Sequence, residues 1–325
     1  MPVDLDRLVD GVRAGDRRAA ARAISMVEDG DAELPELSAR VFPLTGGAHT
    51  IGLTGPPGVG KSSLVNGLVG ALRGRGSTAA VLAIDPTSPL SGGALLGDRV
   101  RMQEHATDPG VFIRSMATRG HLGGMALAAP EAIRILDASG KDVVFVETVG
   151  VGQAEVEVAA ATDTTLVVVA PGWGDAVQAA KAGILEIADV FVVNKADLDG
   201  AGDAVRELTQ MLRLGEHGAW VPPVVATAAA RGVGIHELWA AIDAHREHAA
   251  ATGSLEDRRR RRTLEEVRAL VAARLGEAAA DMLAGEDGRV LAADLAARRT
   301  DPYRAAELLL SRVGLRADVT SEAGP

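Results

Sequence analysis

The sequence reads Gly55-Pro56-Pro57-Gly58-Val59-Gly60-Lys61-Ser62 between an apolar run and a stretch of helical periodicity. This pattern, GxxxxGK[ST], is the phosphate-binding loop of nucleotide-binding proteins when it joins a strand to a helix. Its glycines let the backbone wrap a phosphate, and the helix N-terminus adds positive potential. We predict that Lys61 reaches the β- and γ-phosphates, that the Ser62 hydroxyl binds Mg²⁺, and that the adjacent Ser63 also contacts the nucleotide.

A second motif, Asn194-Lys195-Ala196-Asp197, directly follows the apolar run 189–193. The Asp197 carboxylate can accept hydrogen bonds from both N1–H and the exocyclic amine of guanine, whereas adenine has no matching donor pair. Four residues are a weak match by themselves, but their position after a later strand predicts guanine recognition. The loop Thr227-Ala228-Ala229 is a candidate for a further contact with the base, although Ser-Ala is usual there.

Acidic residues at predicted strand ends are candidates for a metal site. Glu147, in the run Glu147-Thr148-Val149-Gly150, occupies the Walker-B position, where a buried carboxylate without a cation would be costly. Gly150 can offer its amide to the γ-phosphate and move when that phosphate leaves. Asp85 and Asp98 can each be a turn or cap residue. Asp85, at the carboxyl end of a predicted strand, is better placed to hold Mg²⁺ or the attacking water.

Short apolar runs alternate with helical periodicity from residue 48 to about residue 245. Continuous apolar runs are typical of strands buried on both faces. We therefore predict an α/β P-loop NTPase fold with a doubly wound, mostly parallel sheet. Helical patterns flank it, which divides the chain into an N-terminal extension (1–45), a P-loop GTPase domain (46–248) and a C-terminal helical segment (249–325). The expected strands are Thr50–Leu53, Ala79–Ile84, Val111–Ile113, Asp142–Val146, Thr165–Val169, Asp189–Val193 and Pro223–Ala226.

The composition narrows the class of partner. The chain has 34 basic and 44 acidic residues, so its formal charge of −10 gives no general attraction to nucleic acid or anionic membranes. It has no cysteine, no signal-peptide pattern and no apolar run of the ~18 residues that a membrane span needs. We expect a cytoplasmic protein. The run Arg258–Arg262 lacks aromatic neighbours, so we expect a solvated helix start or a contact with an acidic partner.

Together the motifs resemble the metallochaperone-type group of P-loop GTPases, whose members carry a glutamate in Walker B. More closely, they resemble the methylmalonyl-CoA mutase-associated GTPases, also called MeaB or MMAA proteins and once described as arginine/ornithine transport ATPases. The resemblance covers most of residues 15–245. The matching stretches are Gly52–Asn66, Ala83–Ser88, Gly92–Met102, Ile113–Gly124, Val146–Gln153 and Val193–Asp197.

The resemblance implies site residues and partners. It assigns Asp85, Asp98 and Glu147 to the magnesium site and places a third switch at Pro171–Leu185, where Lys181 approaches the nucleotide. That switch here has Ala-Ala at 179–180 where the family commonly has Gly-Ile. We also consider that Gln153 orients the attacking water.

The family's proteins are homodimers that use helical extensions for dimerisation and partner contact. They assist adenosylcobalamin-dependent acyl-CoA mutases by gating cofactor loading and protecting the mutase. They hydrolyse GTP slowly alone and faster on the partner.

Other functions stay open at this point. A nickel-insertion GTPase needs His or Cys ligands, but the seven histidines are scattered and we expect them at the surface. His245 and His248 can share a helix face, yet two ligands do not make a closed site. A nucleotide-dependent kinase of a transport system needs a site for the phosphate acceptor, and this sequence shows no evident one. A nucleotide-locked scaffold differs from a slow GTPase only in turnover.

Overall fold

The computed structural model describes residues 3–86, 103–118, 124–148, 154–172, 185–215 and 218–312. In these residues seven strands form one sheet in the order β3-β2-β4-β1-β5-β6-β7. Every neighbouring pair is parallel, so the predicted fold is confirmed and the sheet is parallel throughout this part. The strands are β1 (His49–Thr54), β2 (Ala79–Pro86), β3 (Val111–Thr118), β4 (Val143–Thr148), β5 (Thr164–Val169), β6 (Val190–Val193) and β7 (Val224–Ala226).

The central strands of the sheet are buried on both faces, and this explains why their sequences are continuous apolar runs. All residues of β1, β4, β5 and β6 are buried. Each predicted run corresponds to a strand, but β3 continues five residues past the predicted end at Ile113. It lies at the edge of the sheet, where the half-buried Arg114 and Ser115 are tolerated within a strand.

Helices cover both faces of the sheet. One face packs on α1–α3, α5 and α6, and the other packs on α4 and α9. The helices are α1 (Leu5–Arg13), α2 (Arg17–Asp29), α3 (Leu34–Val41), α4 (Lys61–Gly74), α5 (Gly124–Ala138), α6 (Ala154–Ala161), α7 (Leu185–Ile187), α8 (Ala201–Leu214), α9 (Ile235–Ala251), α10 (Ser254–Ala284), α11 (Glu286–Ala296) and α12 (Pro302–Arg312).

Side-chain caps fix the starts of two helices, α2 and α12. Asp16 accepts from the backbone N–H groups of Arg18 and Ala19 at the start of α2. Asp301 accepts from the N–H groups of Tyr303 and Arg304 at the start of α12. Such caps satisfy donors that have no partner within the helix.

The chain divides into two compact units, residues 1–264 and 265–325. The first unit contains the sheet. The described part of the second unit holds the rest of α10 together with α11 and α12, and Asp287 pairs with Arg312 within it. No helix in the described ranges is both long enough and apolar enough to cross a bilayer.

The arginine run lies in the first turns of α10, but the expectation of a solvated run is wrong for three of its members. Arg258 donates to Asp189, and Arg259 and Arg262 donate to Asp163. Both aspartates are buried just before the strands β6 and β5. The run therefore pairs with acidic residues of its own chain, which lie at the amino ends of two strands of the sheet.

Two histidines also depart from the expectation of surface positions. His49 and His245 are buried, and the Thr164 hydroxyl lies 2.9 Å from a ring nitrogen of each. His245 Nε2 lies 3.1 Å from Asp189 Oδ1. These groups form one hydrogen-bonded chain at the amino ends of β1, β5 and β6, opposite the phosphate loop. The burial of His49 lowers its pKa to about 4.

Candidate nucleotide-binding site

The phosphate-loop motif forms the turn between β1 and α4. Gly55, Gly58 and Gly60 all have positive φ values, of 133°, 79° and 94°. A Cβ at Gly55 would lie 2.1 Å from the carbonyl oxygen of Val168 on β5, and one at Gly60 would lie 2.5 Å from Asn194 Nδ2. Only glycine fits these two positions, because both the backbone conformation and the space exclude a side chain.

The first turn of α4 places Lys61 and Ser62 at this loop. The buried Lys61 ammonium donates to the carbonyl oxygens of Gly55 at 2.6 Å and Pro56 at 3.1 Å. These contacts hold the positive charge against the loop that a phosphate would enter. Ser63, the next residue of the helix, is exposed.

Glu147 contacts the helix through Ser62. The Ser62 hydroxyl donates to Glu147 Oε1 at 2.7 Å, and both side chains are buried. Strand pairing makes this contact possible, because Glu147 on β4 lies in register with Leu53 on β1, two residues before the phosphate loop. The site therefore brings together the two residues that were predicted to bind the metal and that have described side chains.

The donor set suits a hard divalent cation. A serine hydroxyl that donates its proton to a carboxylate keeps its oxygen lone pairs for a metal. Oxygen ligands of this kind are the ones that Mg²⁺ prefers. Strand β2 pairs with β4 and ends beside Glu147, and its backbone carries Asp85 to the same edge. The Asp85 side chain and all of Asp98, Gly150, Gln153 and Lys181 lie outside the described residues, so their predicted roles stay predictions.

Asn194 connects the guanine motif with the phosphate loop. Its amide nitrogen donates to the carbonyl oxygen of Val59 at 2.8 Å. Its amide oxygen accepts from the Thr227 hydroxyl at 3.0 Å and from the backbone N–H of Ala229 at 3.1 Å. One buried side chain thus connects the predicted phosphate and base sites. It also holds the loop Thr227-Ala228-Ala229, whose contact with the base stays a prediction.

Lys195 and Asp197 follow Asn194 and belong to the predicted base site. Lys195 has a φ of 57° and donates to the carbonyl oxygen of Gly58 at 2.7 Å. Asp197 Oδ2 lies 3.2 Å from an Nη2 nitrogen of Arg231. The sequence motifs did not single out Arg231, which lies two residues after the loop Thr227-Ala228-Ala229.

Comparison with known proteins identifies the family. Residues 20–283 match the family model described as methylmalonyl-CoA mutase-associated GTPase MeaB. The chain belongs to the MeaB family. It is therefore a P-loop GTPase that binds guanine nucleotide, as its motifs predict.

Individual relatives support this membership of the MeaB family. A Pyrococcus abyssi protein that is named as a GTPase is 48% identical over 314 residues, which cover 95% of this chain and 97% of that protein. The mouse mitochondrial methylmalonic aciduria type A homolog is 36% identical over 277 residues, or 78% of this chain and 66% of that protein. The crystal structure of an LAO/AO transport system kinase superposes with a TM-score of 0.70 at 27% identity, covering 97% of this chain and all of that one.

The nickel-insertion alternative gains no metal site from the described residues. Among the residues that the structure describes, no group of three or more His, Cys, Asp or Glu side chains is arranged to hold a metal ion. His245 instead contacts Asp189 and Thr164 through its two ring nitrogens.

Proposed function

We propose that this MeaB-family GTPase converts GTP to GDP and phosphate with Mg²⁺ held by Ser62, Asp85, Asp98 and Glu147. We further propose that it is a G-protein chaperone for an adenosylcobalamin-dependent acyl-CoA mutase of the methylmalonyl-CoA type, where it gates cofactor loading and protects the mutase. The observation that carries the catalytic half is the 2.7 Å hydrogen bond between Ser62 and Glu147 at the end of the phosphate loop.

Each residue has a separate task in hydrolysis. The loop amides and the Lys61 ammonium bind the phosphates and offset their charge. Bound at Ser62 and Glu147, Mg²⁺ would neutralise charge that develops on the β- and γ-phosphate oxygens. In this proposal Gln153 orients the attacking water, Gly150 senses the γ-phosphate, and Lys181 approaches the nucleotide from the third switch.

A turnover assay tests this catalytic half. We expect GTP hydrolysis by the purified chain to require Mg²⁺ and to stop in Lys61→Ala, because the phosphates lose their main cation. An enzyme that binds GTP but releases no phosphate at any Mg²⁺ concentration would instead be a nucleotide-locked scaffold.

The chaperone half rests on the family and on the helical ends. The family description names a mutase association, and the mouse relative's name refers to methylmalonic aciduria. A switch needs a reader, and the phosphate-loop and guanine motifs both lie between residues 46 and 248, outside the helical ends. We therefore assign residues 1–45 as an N-terminal helical extension, 46–248 as the GTPase domain and 249–325 as the segment for dimerisation and partner contact.

The helix α10 supports the assignment of a homodimer. This helix of 31 residues has no buried residue. Val267, Leu270 and Val271 are spaced along it as one apolar stripe, with exposed fractions of 51%, 42% and 53%. Such a stripe on a long helix is typical of a surface that packs against a second helix. Light scattering should show a dimer, and Val267→Asp should shift it toward monomer.

The partner can be found without choosing a candidate in advance. The tagged chain is used to capture proteins from its native cells, once with GDP and once with a non-hydrolysable GTP analogue. We expect an acyl-CoA mutase to be retained in amounts that differ between the two nucleotides. Capture of no mutase in either state would contradict the chaperone half and leave the GTPase activity untouched.

A further inference from the structure

An exposed arginine lies on the carboxylate that is proposed to read the base. Arg231 Nη2 lies 3.2 Å from Asp197 Oδ2. The Asp197 side chain is 26% exposed and that of Arg231 is 69% exposed. The pair therefore stands at the edge of the base site, with the carboxylate partly enclosed and the guanidinium in solvent.

The loop that carries Arg231 is held in a defined position. Arg231 ends the 3₁₀ turn Ala229–Arg231, and its backbone N–H donates to the carbonyl oxygen of Ala228 at 2.8 Å. Ala228 also pairs with Val233 across the loop. At its start the loop is fixed by the hydrogen bond from Ala229 N–H to Asn194 Oδ1. Arg231 thus stands on a short turn that is fixed to the guanine motif itself.

The chemistry of guanine recognition gives this contact a purpose. Guanine presents two neighbouring donors, N1–H and the exocyclic amine, and both must meet one carboxylate at once. A carboxylate that rotates freely can still meet one donor, but meeting two requires its plane to be fixed. A guanidinium on one oxygen restricts that rotation, and the oxygen has a second lone pair for the base.

We propose that Arg231 is a specificity-determining positioning residue, which orients Asp197 so that both of its oxygens accept from guanine. This inference rests on the proposed role of Asp197. It predicts that Arg231 matters for a base with two donors and matters little for a base with one. Hypoxanthine is that second base, because it keeps N1–H and lacks the exocyclic amine.

The expected effect is measured as a change in base preference. A partly exposed ion pair contributes at most about a fivefold change in an equilibrium constant. We therefore expect Arg231→Ala to weaken GDP binding about fivefold and to weaken inosine diphosphate binding by less than about twofold. A defect in folding or in phosphate binding would weaken both ligands equally.

The experiment measures the affinities of GDP and inosine diphosphate by calorimetry in four variants. Arg231→Ala is compared with Arg231→Lys, which keeps a charge but loses the planar fork and should recover part of the preference. Arg206→Ala is the matched control, because Arg206 forms an exposed ion pair with Asp203 on α8. Asp197→Asn tests the base-reading carboxylate itself.

The outcomes separate the two claims. A selective loss of GDP affinity in Arg231→Ala, with none in Arg206→Ala, supports the proposal. Equal affinities of Arg231→Ala and the parent for both ligands, or tighter GDP binding, would overturn it, provided that Asp197→Asn loses the preference. If Asp197→Asn keeps the full preference for GDP, the base-reading assignment fails and the role of Arg231 falls with it.

Discussion

Substituting Arg259 in α10 should destabilise the first unit (residues 1–264) far more than substituting its neighbour Arg260. Arg259 donates to both oxygens of Asp163, at 3.1 and 2.6 Å. It also donates to the carbonyl oxygens of Gly46 and Ala48, each at 2.9 Å. Asp163 has a fully buried side chain, whereas Arg260 is 73% exposed and pairs with Asp257, which is itself 62% exposed. The two positions are adjacent in sequence and opposite in environment.

The loss of unfolding free energy in Arg259→Ala depends on which partners of Asp163 remain. Burial alone would raise the pKa of Asp163, but the hydrogen bond from Arg259 and the nearby charge of Arg262 lower it below its usual value. Breaking a buried ion pair typically costs about 3–5 kcal/mol. Arg262 at 3.4 Å and the Thr50 N–H at 3.2 Å remain. Arg259→Ala should therefore cost about 3 kcal/mol, at the lower end of that range, and Arg260→Ala at most about 0.5 kcal/mol.

Urea unfolding followed by tryptophan fluorescence measures both changes. Trp239 is buried and Trp220 half-buried, and both lie in the first unit. Adding Asp163→Asn to Arg259→Ala should restore about 1 kcal/mol or more, because no buried charge is then left behind. Equal losses of unfolding free energy in Arg259→Ala and Arg260→Ala would show that the buried pair with Asp163 adds no stability beyond that of an exposed pair.

Three further predictions concern pH, base and metal. Folding lowers the pKa of His49 from 6.5 to about 4. The contribution of neutral His49 to the free energy of unfolding is therefore complete above pH 6.5 and is lost as the pH drops toward 4. Unfolding free energies at pH 7 and pH 4 should reveal a loss of about 3 kcal/mol that is absent in His49→Gln. Asp197→Asn should weaken GTP binding and shift preference toward xanthine nucleotides in a fluorescent-nucleotide titration. Glu147→Ala should lower GTP turnover by about 100-fold at saturating Mg²⁺ while changing GDP affinity less.

Each of these predictions has its own contrary result. An unchanged pH dependence in His49→Gln would assign the acid sensitivity to another group. Unaltered GTP affinity in Asp197→Asn would remove the guanine assignment of Asn194–Asp197. Parental turnover in Glu147→Ala would exclude a metal role, and Glu207→Ala on the exposed face of α8 serves as the control for a lost carboxylate.

The strands and the phosphate loop were predictable because their signals are local. A buried parallel strand requires a continuous apolar run, and the loop requires glycines at fixed positions next to Lys61 and Ser62. The length of β3 was underestimated because Arg114 interrupts its apolar run. An edge strand tolerates such a residue, but the sequence does not show which strand lies at the edge.

The pairing of distant charged side chains was not predictable. Arg259 and Asp163 are 96 positions apart, and no periodicity connects them. Which arginines of the run point inward depends on how the start of α10 lies against the residues that precede β1, β5 and β6. His49 and His245 were expected at the surface for a similar reason, because only the folded chain supplies Thr164 and Asp189 as partners. Arg231 likewise became a candidate only once its contact with Asp197 was visible.

In the proposed function, a mutase reads the nucleotide state of this GTPase. This proposal is tested by calorimetric titration of the chain into a purified adenosylcobalamin-dependent acyl-CoA mutase, with GDP, with a GTP analogue and without nucleotide. We predict affinities that differ by about fivefold or more between nucleotide states, and by linkage the mutase must change nucleotide affinity by the same factor. Equal affinity in all three states, for every cobalamin-dependent mutase of the organism, would show that the protein is not a nucleotide-dependent chaperone of such a mutase.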